Sequence, residues 1–560
     1  MDIKVNANEV IKAGSNFLRG KLEQSIGDEL TGSLSPDDAQ ISKFHGFYEQ
    51  DDRDTRQQRQ SRYLEPDFSF MLRARLPGGV CTASQWLAID SISKRLGNGS
   101  IRLTTRQTFQ YHGILKRNLK PLIQGINQSM IDSIGGCGDI NRNVMCNPNP
   151  LQSELHAQVY DWAQKISEHL KPASRAYHEI WLDGEKLEQP DEEPIYGNTY
   201  LPRKFKAAVA VPPFNDVDIY TNDLGFVAIE ETGELVGFNV LAGGGMGTTH
   251  GDKSTFPRLA DELGFITLND VLKVAEAVVT VQRDEGNRVS RRHARLKYTV
   301  EKLGADKFKQ LVAQRAGVEF QKARKVVFVQ QGDRYGWTQG TDGQWSLTLF
   351  IENGRIIDSE DAPLMTGLRK IAKIHQGDFR ITPSQNLMIA GIADSDRDTI
   401  YSLAKEHGLI NENITPLRKN SIACVAFPTC PQAMAEAERY FPDLISSIEG
   451  LLEKHGLKDL DLVMRMTGCP NGCARPFVAE IGLVGKGPGR YNLLLGGDGR
   501  GKRLNKIYRE NLNEEGILNT IDELLESFSK KRENEERLGD FVIRQGIIKA
   551  VINPEVDFHD

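Results

Sequence analysis

Gly99-Ser-Ile-Arg-Leu-Thr-Thr-Arg-Gln-Thr-Phe-Gln-Tyr-His-Gly-Ile114 aligns without gaps to Gly377-Asp-Phe-Arg-Ile-Thr-Pro-Ser-Gln-Asn-Leu-Met-Ile-Ala-Gly-Ile392. Gly, Arg, Thr, Gln, Gly and Ile match, six of sixteen positions, and several other pairs are apolar with apolar. The copies stand 278 residues apart in a chain of 560. A solenoid needs at least three copies, so two imply a duplicated module and a pseudo-twofold fold. Chance likeness of two strands is the competing reading, and the shared polar Arg, Thr and Gln argue against it. The copies differ where chemistry would sit: Arg106 and His112 in the first become Ser384 and Ala390 in the second. A duplicated site that kept its function on one side would look like this.

Working outward, Phe68 to Arg73 reads as a strand, followed by a Pro-Gly-Gly turn at 77–79 and a helix opening near Ser84 with Trp86, Ile89, Ile92 and Leu96 on one face. A helix starts around Pro121, and Leu151, Leu155, Val159, Trp162, Ile166 and Leu170 mark one face of a longer one. Strands dominate 203–241, helices follow near 268–283 and 299–315, and strands resume after Lys325. Further helices are expected around 397–407, 432–455 and 515–530. The irregular alternation makes the class α+β or mixed α/β. The first 60 residues are polar and end in the charge run Gln50-Asp-Asp-Arg-Asp-Thr-Arg-Gln-Gln-Arg59, expected as a solvated, partly mobile segment or as a surface for another protein.

Composition narrows the function. With 39% hydrophobic and 26% charged residues the chain is an ordinary globular one, neither fibrous nor disordered. A net charge of -6 is the wrong balance for a general nucleic-acid binder, so anion recognition must be local. No apolar run approaches the roughly 18 residues of a membrane span, and the start lacks a signal-peptide pattern, which makes the cytoplasm the expected location.

Of seven cysteines, Cys424, Cys430, Cys469 and Cys473 lie within one stretch of 50 residues. Four thiolates suit an iron–sulfur cluster or a structural zinc, with unligated buried cysteines as the bland alternative. The wrapping of Cys469-Pro-Asn-Gly-Cys473 in glycine and proline lets backbone approach a bulky inorganic core, which favours the cluster. Basic residues recur inside apolar strands: Arg73, Arg75, Arg102, Arg106 and Arg142. In Arg203-Lys-Phe-Lys-Ala-Ala-Val-Ala-Val211 a period of two puts Lys204 and Lys206 on one face and Phe205, Ala207, Val209 and Val211 on the other. Surface charge is the ordinary reading of each; together they point to a multi-anion pocket. The glycine-rich Leu241–Gly251 could cradle anions or be a plain turn, and it is not a dinucleotide fingerprint.

These cysteine spacings, with Arg-Leu-Thr-Thr-Arg-Gln-Thr-Phe-Gln, Asn-Arg-Asn-Val and Leu-Pro-Arg-Lys-Phe-Lys, resemble the sulfite/nitrite reductase family over essentially the whole chain. The resemblance implies pseudo-twofold duplicated ferredoxin-like modules at 64–137 and 336–411, two larger mixed α/β cofactor-binding domains at 138–335 and 412–560, and a partner-binding segment at 1–63. It implies a siroheme and a [4Fe–4S] cluster held by Cys424, Cys430, Cys469 and Cys473, the last shared with the heme iron. Arg102, Thr104, Arg106, Gln110, His112 and Asn471 would contact the macrocycle, and Arg73, Arg142, Lys204 and Lys206 would bind sulfite and supply protons for its six-electron reduction. The chain shows no flavin or NADPH segment of its own, so a flavoprotein reductase carrying FAD or FMN and the NADPH site is the expected electron donor. A ferredoxin-dependent sulfite or nitrite reductase is the alternative within the family, and a zinc-stabilised binding protein the alternative outside it.

Overall fold

The computed structural model describes residues 5–174, 181–182, 185–186 and 192–559. The duplicated segments form two five-stranded sheets of matching order. The first runs Phe47–Asp51, Phe68–Arg73, Phe109–Ile114, Ile101–Leu103, Arg355–Ile356; the second runs Gly336–Gln339, Trp345–Leu349, Leu387–Ile392, Asp378–Ile381, Val80–Thr82. The edge strands are exchanged. Arg355 pairs with Arg102 in the first sheet, and Phe379 pairs with Cys81 in the second. Each exchanged strand follows a glycine that lets two backbones touch. A Cβ on Gly79 would lie 2.4 Å from the Ile381 carbonyl, and one on Gly354 would lie 2.5 Å from that of Leu103, the equivalent residue of the other copy.

Reciprocal exchange makes one core of two modules. The helices Ala83–Leu96 and Leu364–Ile374 pack together, Trp86 stacks on Phe379 with centroids 5.0 Å apart, and buried residues of both copies form a single cluster. The first helix opens with a capping box, Thr82 with Gln85.

A second core lies between the sheet of Ala207–Ala210, Leu224–Glu231, Glu234–Ala242 and Asp261–Thr267 and helices including Glu154–His169 and Val271–Glu285. Although the regular strand begins at Ala207, the alternation expected from 203–211 holds: Phe205, Ala207, Val209 and Val211 all enter this one core. The helix expected over 299–315 is two, Leu296–Leu303 and Ala305–Ala316, broken at Gly304. A third core joins the sheet of Ser421–Ala423, Met464–Thr467, Ile481–Gly487, Arg490–Leu495 and Lys506–Leu512 to the helices Phe441–Lys454 and Glu514–Lys531. The helix expected from 432 starts only at Phe441, because Met434 and Ala435 turn their N–H groups to the Gly468 carbonyl, at 2.8 and 3.0 Å.

The N-terminal region departs most from expectation. It is not a solvated arm: Ala7–Ala13 and Pro36–Ile41 are helical, and Phe47–Asp51 is an antiparallel edge of the first module's sheet. Part of its polarity lies in buried ion pairs, among them Lys12 with Glu9 at 2.6 Å, while the charge run is solvated as expected, with Asp54, Gln57 and Gln58 exposed and no residue of the helix Arg56–Ser61 buried.

Candidate active site

Ser421–Ala423 and Met464–Thr467 are adjacent parallel strands, so their C-terminal ends lie side by side. Cys424 follows the first directly, and Cys469 stands two residues beyond the second. The pairing brings together two cysteine motifs about 40 residues apart, in the crevice at strand C-termini where α/β sheets commonly bind ligands. The Gly468 N–H donates to Cys424 Sγ at 3.3 Å, and Asn471 Nδ2 reaches Cys469 Sγ at 3.5 Å. All four thiols line one cavity of about 490 Å³. Among the described residues no three His, Cys, Asp or Glu side chains close on a single-ion position. The thiols therefore surround a space rather than a point. Burial first, and then the neighbouring cysteines, push the thiols of Cys424, Cys430 and Cys469 up, the last to about 12. Four crowded thiols cannot all ionise without a cationic core between them.

Much of the remaining lining is basic. Lys12, Lys43, Arg73, Arg102, Arg142, Arg203, Lys204 and Arg291 line the cavity, against one carboxylate, Asp139. Arg291 donates to Asp139 at 2.8 and 3.0 Å, and its carboxyl is held low, at about 2, as the neighbouring cations outweigh burial. The remaining positive charge needs anions, since unpaired buried charge is costly. His112 Nδ1 and Gln385 Oε1 also reach the lining without a protein partner. A cavity lined by both cations and thiols suits the chemistry of a polycarboxylate macrocycle beside an iron–sulfur cluster.

Arg73 and Arg142 converge on one loop. Arg142 donates through Nη2 to the Gly138 carbonyl at 2.7 Å and through Nη1 to that of Gly136 at 3.3 Å, and Arg73 Nη1 reaches Cys137 Sγ at 3.3 Å. Gln110, the cross-strand partner of Arg73, turns its amide oxygen to Arg73 Nε at 3.0 Å. The ammonium of Lys204 is pushed down to about 7 by burial and by Arg203, Arg295 and Arg142, with Cys473 opposing. At neutral pH such a lysine can both hold an anion and give up a proton.

The structure thus brings Arg73, Arg102, Thr104, Gln110, His112, Arg142, Lys204, Asn471 and the four cysteines onto one lining. Arg106 and Lys206 lie outside it. Arg106 spends its guanidinium on protein, with Nη1 on Asn222 Oδ1 at 2.6 Å and Nη2 on the carbonyls of Asn143 and Ala207, fastening the first module to the central sheet. Lys206 is only partly buried and lies near Lys204 and Cys473, and burial and then Lys204, Arg106 and Arg295 hold its ammonium far below the ordinary lysine range. Arg102 is also committed: its Nε meets Glu438 Oε2 at 2.6 Å, and Glu438 Oε1 takes Arg355 Nε at 2.6 Å. Glu438 was not legible as a site residue, because its alternation with alanines looks helical.

The glycine-rich turn spends most of its N–H groups on protein carbonyls. Gly243, Gly244 and Gly245 give their N–H groups to the Asp223, Asn222 and Arg258 carbonyls, and Thr248 N–H donates to Pro470 O at 2.9 Å. It braces the Cys469–Cys473 turn from behind, and buried Lys297 secures it through the Gly247 carbonyl at 2.6 Å. Arg475 does the same from the module side. Its Nη1 meets the Thr105 carbonyl at 2.9 Å and its Nη2 that of Pro383 at 2.8 Å, which are equivalent positions of the two copies. Thr105 Oγ1 in turn donates to the Cys473 carbonyl at 3.0 Å. Arg475 therefore sits on the pseudo-twofold and ties both copies to the cysteine turn.

The family model described as nitrite and sulphite reductase 4Fe-4S domain matches residues 161–320 and 417–552. The one described as nitrite/sulfite reductase ferredoxin-like half domain matches twice, at 63–129 and 338–407, once on each copy. The chain is 60% identical over 560 residues to the sulfite reductase (NADPH) hemoprotein beta-component of Shewanella sp. strain ANA-3, covering 99% of both chains. It is 59% identical over 562 residues to the protein of the same name from Shewanella loihica, covering 100% of both. Among solved structures, the Mycobacterium tuberculosis NirA protein superposes with a TM-score of 0.79 over 96% of each chain at 24% identity, a likeness of fold.

Proposed function

This chain belongs to the nitrite and sulphite reductase family, and from that premise we propose that it is the sulfite-reducing component of an NADPH-dependent enzyme, taking sulfite to sulfide with six electrons. The observation that carries this reading is one cavity lined by four thiols and eight cationic side chains. Siroheme and a [4Fe–4S] cluster, when bound, supply the electron chemistry. Cys424, Cys430, Cys469 and Cys473 would hold the cluster. Arg102, Thr104, Gln110, His112 and Asn471 would face the macrocycle, Arg106 would brace the turn that carries Thr104, and Lys206 would add positive charge beside Lys204.

Arg73 and Arg142, fixed by the carbonyls of Gly136 and Gly138, orient the sulfite oxygens. Lys204 adds charge and a proton at the oxygen that leaves as water, for which its lowered pKa suits it. Each lost oxygen takes two protons, so a donor that reloads near neutral pH matters more than one that stays charged.

No described helix is long and apolar enough to cross a membrane, and a cytoplasmic role in cysteine biosynthesis fits the reading. Electrons would come from a flavoprotein partner docking on the N-terminal region. Leu30 and Tyr63 there are 96% and 99% exposed and flank Glu65, whose carboxylate binds Thr31 and Gly32. Deleting residues 1–60 would be a poor test, because Asn8, Lys12, Lys43 and Tyr48 wall the cavity. The test is the purified full chain. Siroheme bands, iron and acid-labile sulfide in cluster ratio, and sulfite turnover with an artificial reductant are expected; a colourless zinc protein would reject the reading. Leu30→Ser with Tyr63→Ser should then impair NADPH-driven turnover alone, and equal loss with both donors would move the docking site elsewhere.

A further inference from the structure

Arg53 belongs to the charge run that follows the strand Phe47–Asp51, yet it reaches the cysteine loop of the third domain. Its backbone N–H donates to the Pro428 carbonyl at 3.1 Å, and its guanidinium lies over the Phe427 ring, 4.8 Å from the centroid. Nη1 donates to the carbonyls of Ala433 at 3.2 Å and of Cys430 itself at 3.4 Å. The adjoining Asp54 holds Arg439 at 2.7 Å, which fastens the same segment to the far end of the loop.

No carboxylate pairs with Arg53 among the described residues. Asp51 is taken by Arg56 at 2.6 Å, and Asp54 by Arg439. Carbonyl oxygens and an aromatic face orient a guanidinium without cancelling its charge, so a net positive charge is held against the backbone of one thiol-bearing residue. A fixed cation beside an iron–sulfur centre stabilises its reduced form, which carries one more negative charge, and hydrogen bonding around the ligands acts in the same direction.

We propose that Arg53 is a positioning residue for the iron–sulfur site: it clamps the Cys430 limb of the cysteine loop and its charge raises the reduction potential of the cluster. The inference rests on the cluster assignment above and adds a link to the docking region. The same short segment carries Tyr63 outward and Arg53 inward, so a donor seated on it touches the element that sets the acceptor's potential.

The experiment is a redox titration of the cluster in the full-length holoprotein, followed by electron paramagnetic resonance, on wild type, Arg53→Met and Arg53→Lys. Iron and acid-labile sulfide are counted in each. The expected result is a full cluster in all three, a lower midpoint in Arg53→Met, and a midpoint near wild type in Arg53→Lys. The difference should shrink at high salt, as expected for a partly exposed charge. A full cluster with an unmoved midpoint in Arg53→Met overturns the proposal, as does an equal shift in both variants, which would make the effect one of packing rather than charge. If Arg53→Met loses its cluster on purification, Arg53→Gln, which keeps a donor without the charge, is titrated instead, and the same two outcomes decide. A wild-type protein without iron and sulfide would defeat the cofactor reading itself, a result distinct from an intact cluster whose midpoint does not respond.

Discussion

The turns at 104–108 and 382–386 are built alike and used differently. In the first, Arg106 N–H donates to Thr104 Oγ1 at 3.2 Å and Thr104 N–H to Thr108 O at 2.8 Å; in the second, Ser384 N–H donates to Thr382 Oγ1 at 3.2 Å and Thr382 N–H to Asn386 O at 2.9 Å. Gln107 and Gln385 both take positive φ, 50° and 70°. The backbone device survived duplication intact. The side chains did not: Arg106 anchors the first turn to the central sheet, whereas Thr382 and Asn386 of the second turn inward to Asp333. On the next strand Gln110 and His112 line the large cavity, and their equally buried counterparts Met388 and Ala390 do not. Keeping a turn requires only a few backbone-directed groups, while keeping a site requires every cation and its partner. One half can therefore lose chemistry without losing its fold.

Giving the first turn the residue of the second breaks this asymmetry most severely. Arg106→Ser orphans Asn222 Oδ1 and the Asn143 carbonyl and takes one of two donors from the Ala207 carbonyl, and should cost about 3–5 kcal/mol in denaturant unfolding of the purified chain. A loss under about 1 kcal/mol would mean the two turns are interchangeable. Arg475→Met removes the link they share and leaves Asp218 with Arg465 alone, at 2.6 Å. About 2–3 kcal/mol is expected, together with a changed visible spectrum of the loaded protein; an unchanged spectrum would show that Cys473 is positioned without the pseudo-twofold tie.

Charge in the cavity sharpens the contrast by titration. Lys204 is protonated below its depressed pKa of about 7, so the sulfite binding proposed for it should be present at lower pH and lost as pH rises through that value. Affinity should fall by up to about tenfold per pH unit above it, with the midpoint shifted upward in the complex because the anion favours the charged form. Lys204→Met should flatten the profile; a slope that persists would assign it to another group. The smallest effect is expected from His112→Ala, the second copy's residue. Its polar contact is a long one to Gln110, 3.4 Å, and burial followed by Arg355 and Arg102 keeps the imidazole neutral. At about pH 7 to 8 stability should change by less than about 1 kcal/mol, while siroheme content falls; below about pH 6.5 the unfolded imidazole takes up a proton that the buried one refuses, so the wild type loses stability there and His112→Ala does not. Unchanged siroheme content would remove His112 from the cofactor wall.

Much of this was legible because it is local or repeated. Alternation over 203–211 sorted Lys204 from Phe205 correctly, since a strand's two faces depend only on neighbours in sequence. The four cysteines stood out by spacing and the copies by self-alignment. Lys43, Tyr48, Arg203 and Arg291 were not picked out as cavity walls, because each is an ordinary polar residue until a distant element places it. The polar N-terminal region misled for the same reason: Glu9 and Lys12 look solvated in sequence and are each at most 3% exposed.

By itself the sequence determined that the chain is duplicated, that one copy kept its polar groups, and that four thiols lie close enough along the chain to share a ligand. Only the tertiary structure decided that the copies trade edge strands and share one core. It also decided that Arg106 spends its guanidinium on protein rather than on the cavity, and that Arg53 holds the Cys430 loop while Arg475 holds the turn after Cys473. The physical reason is range. Periodicity and spacing record what neighbours along the chain must do, whereas a buried charge takes its role from whichever carbonyl or carboxylate the fold brings to within about 3 Å.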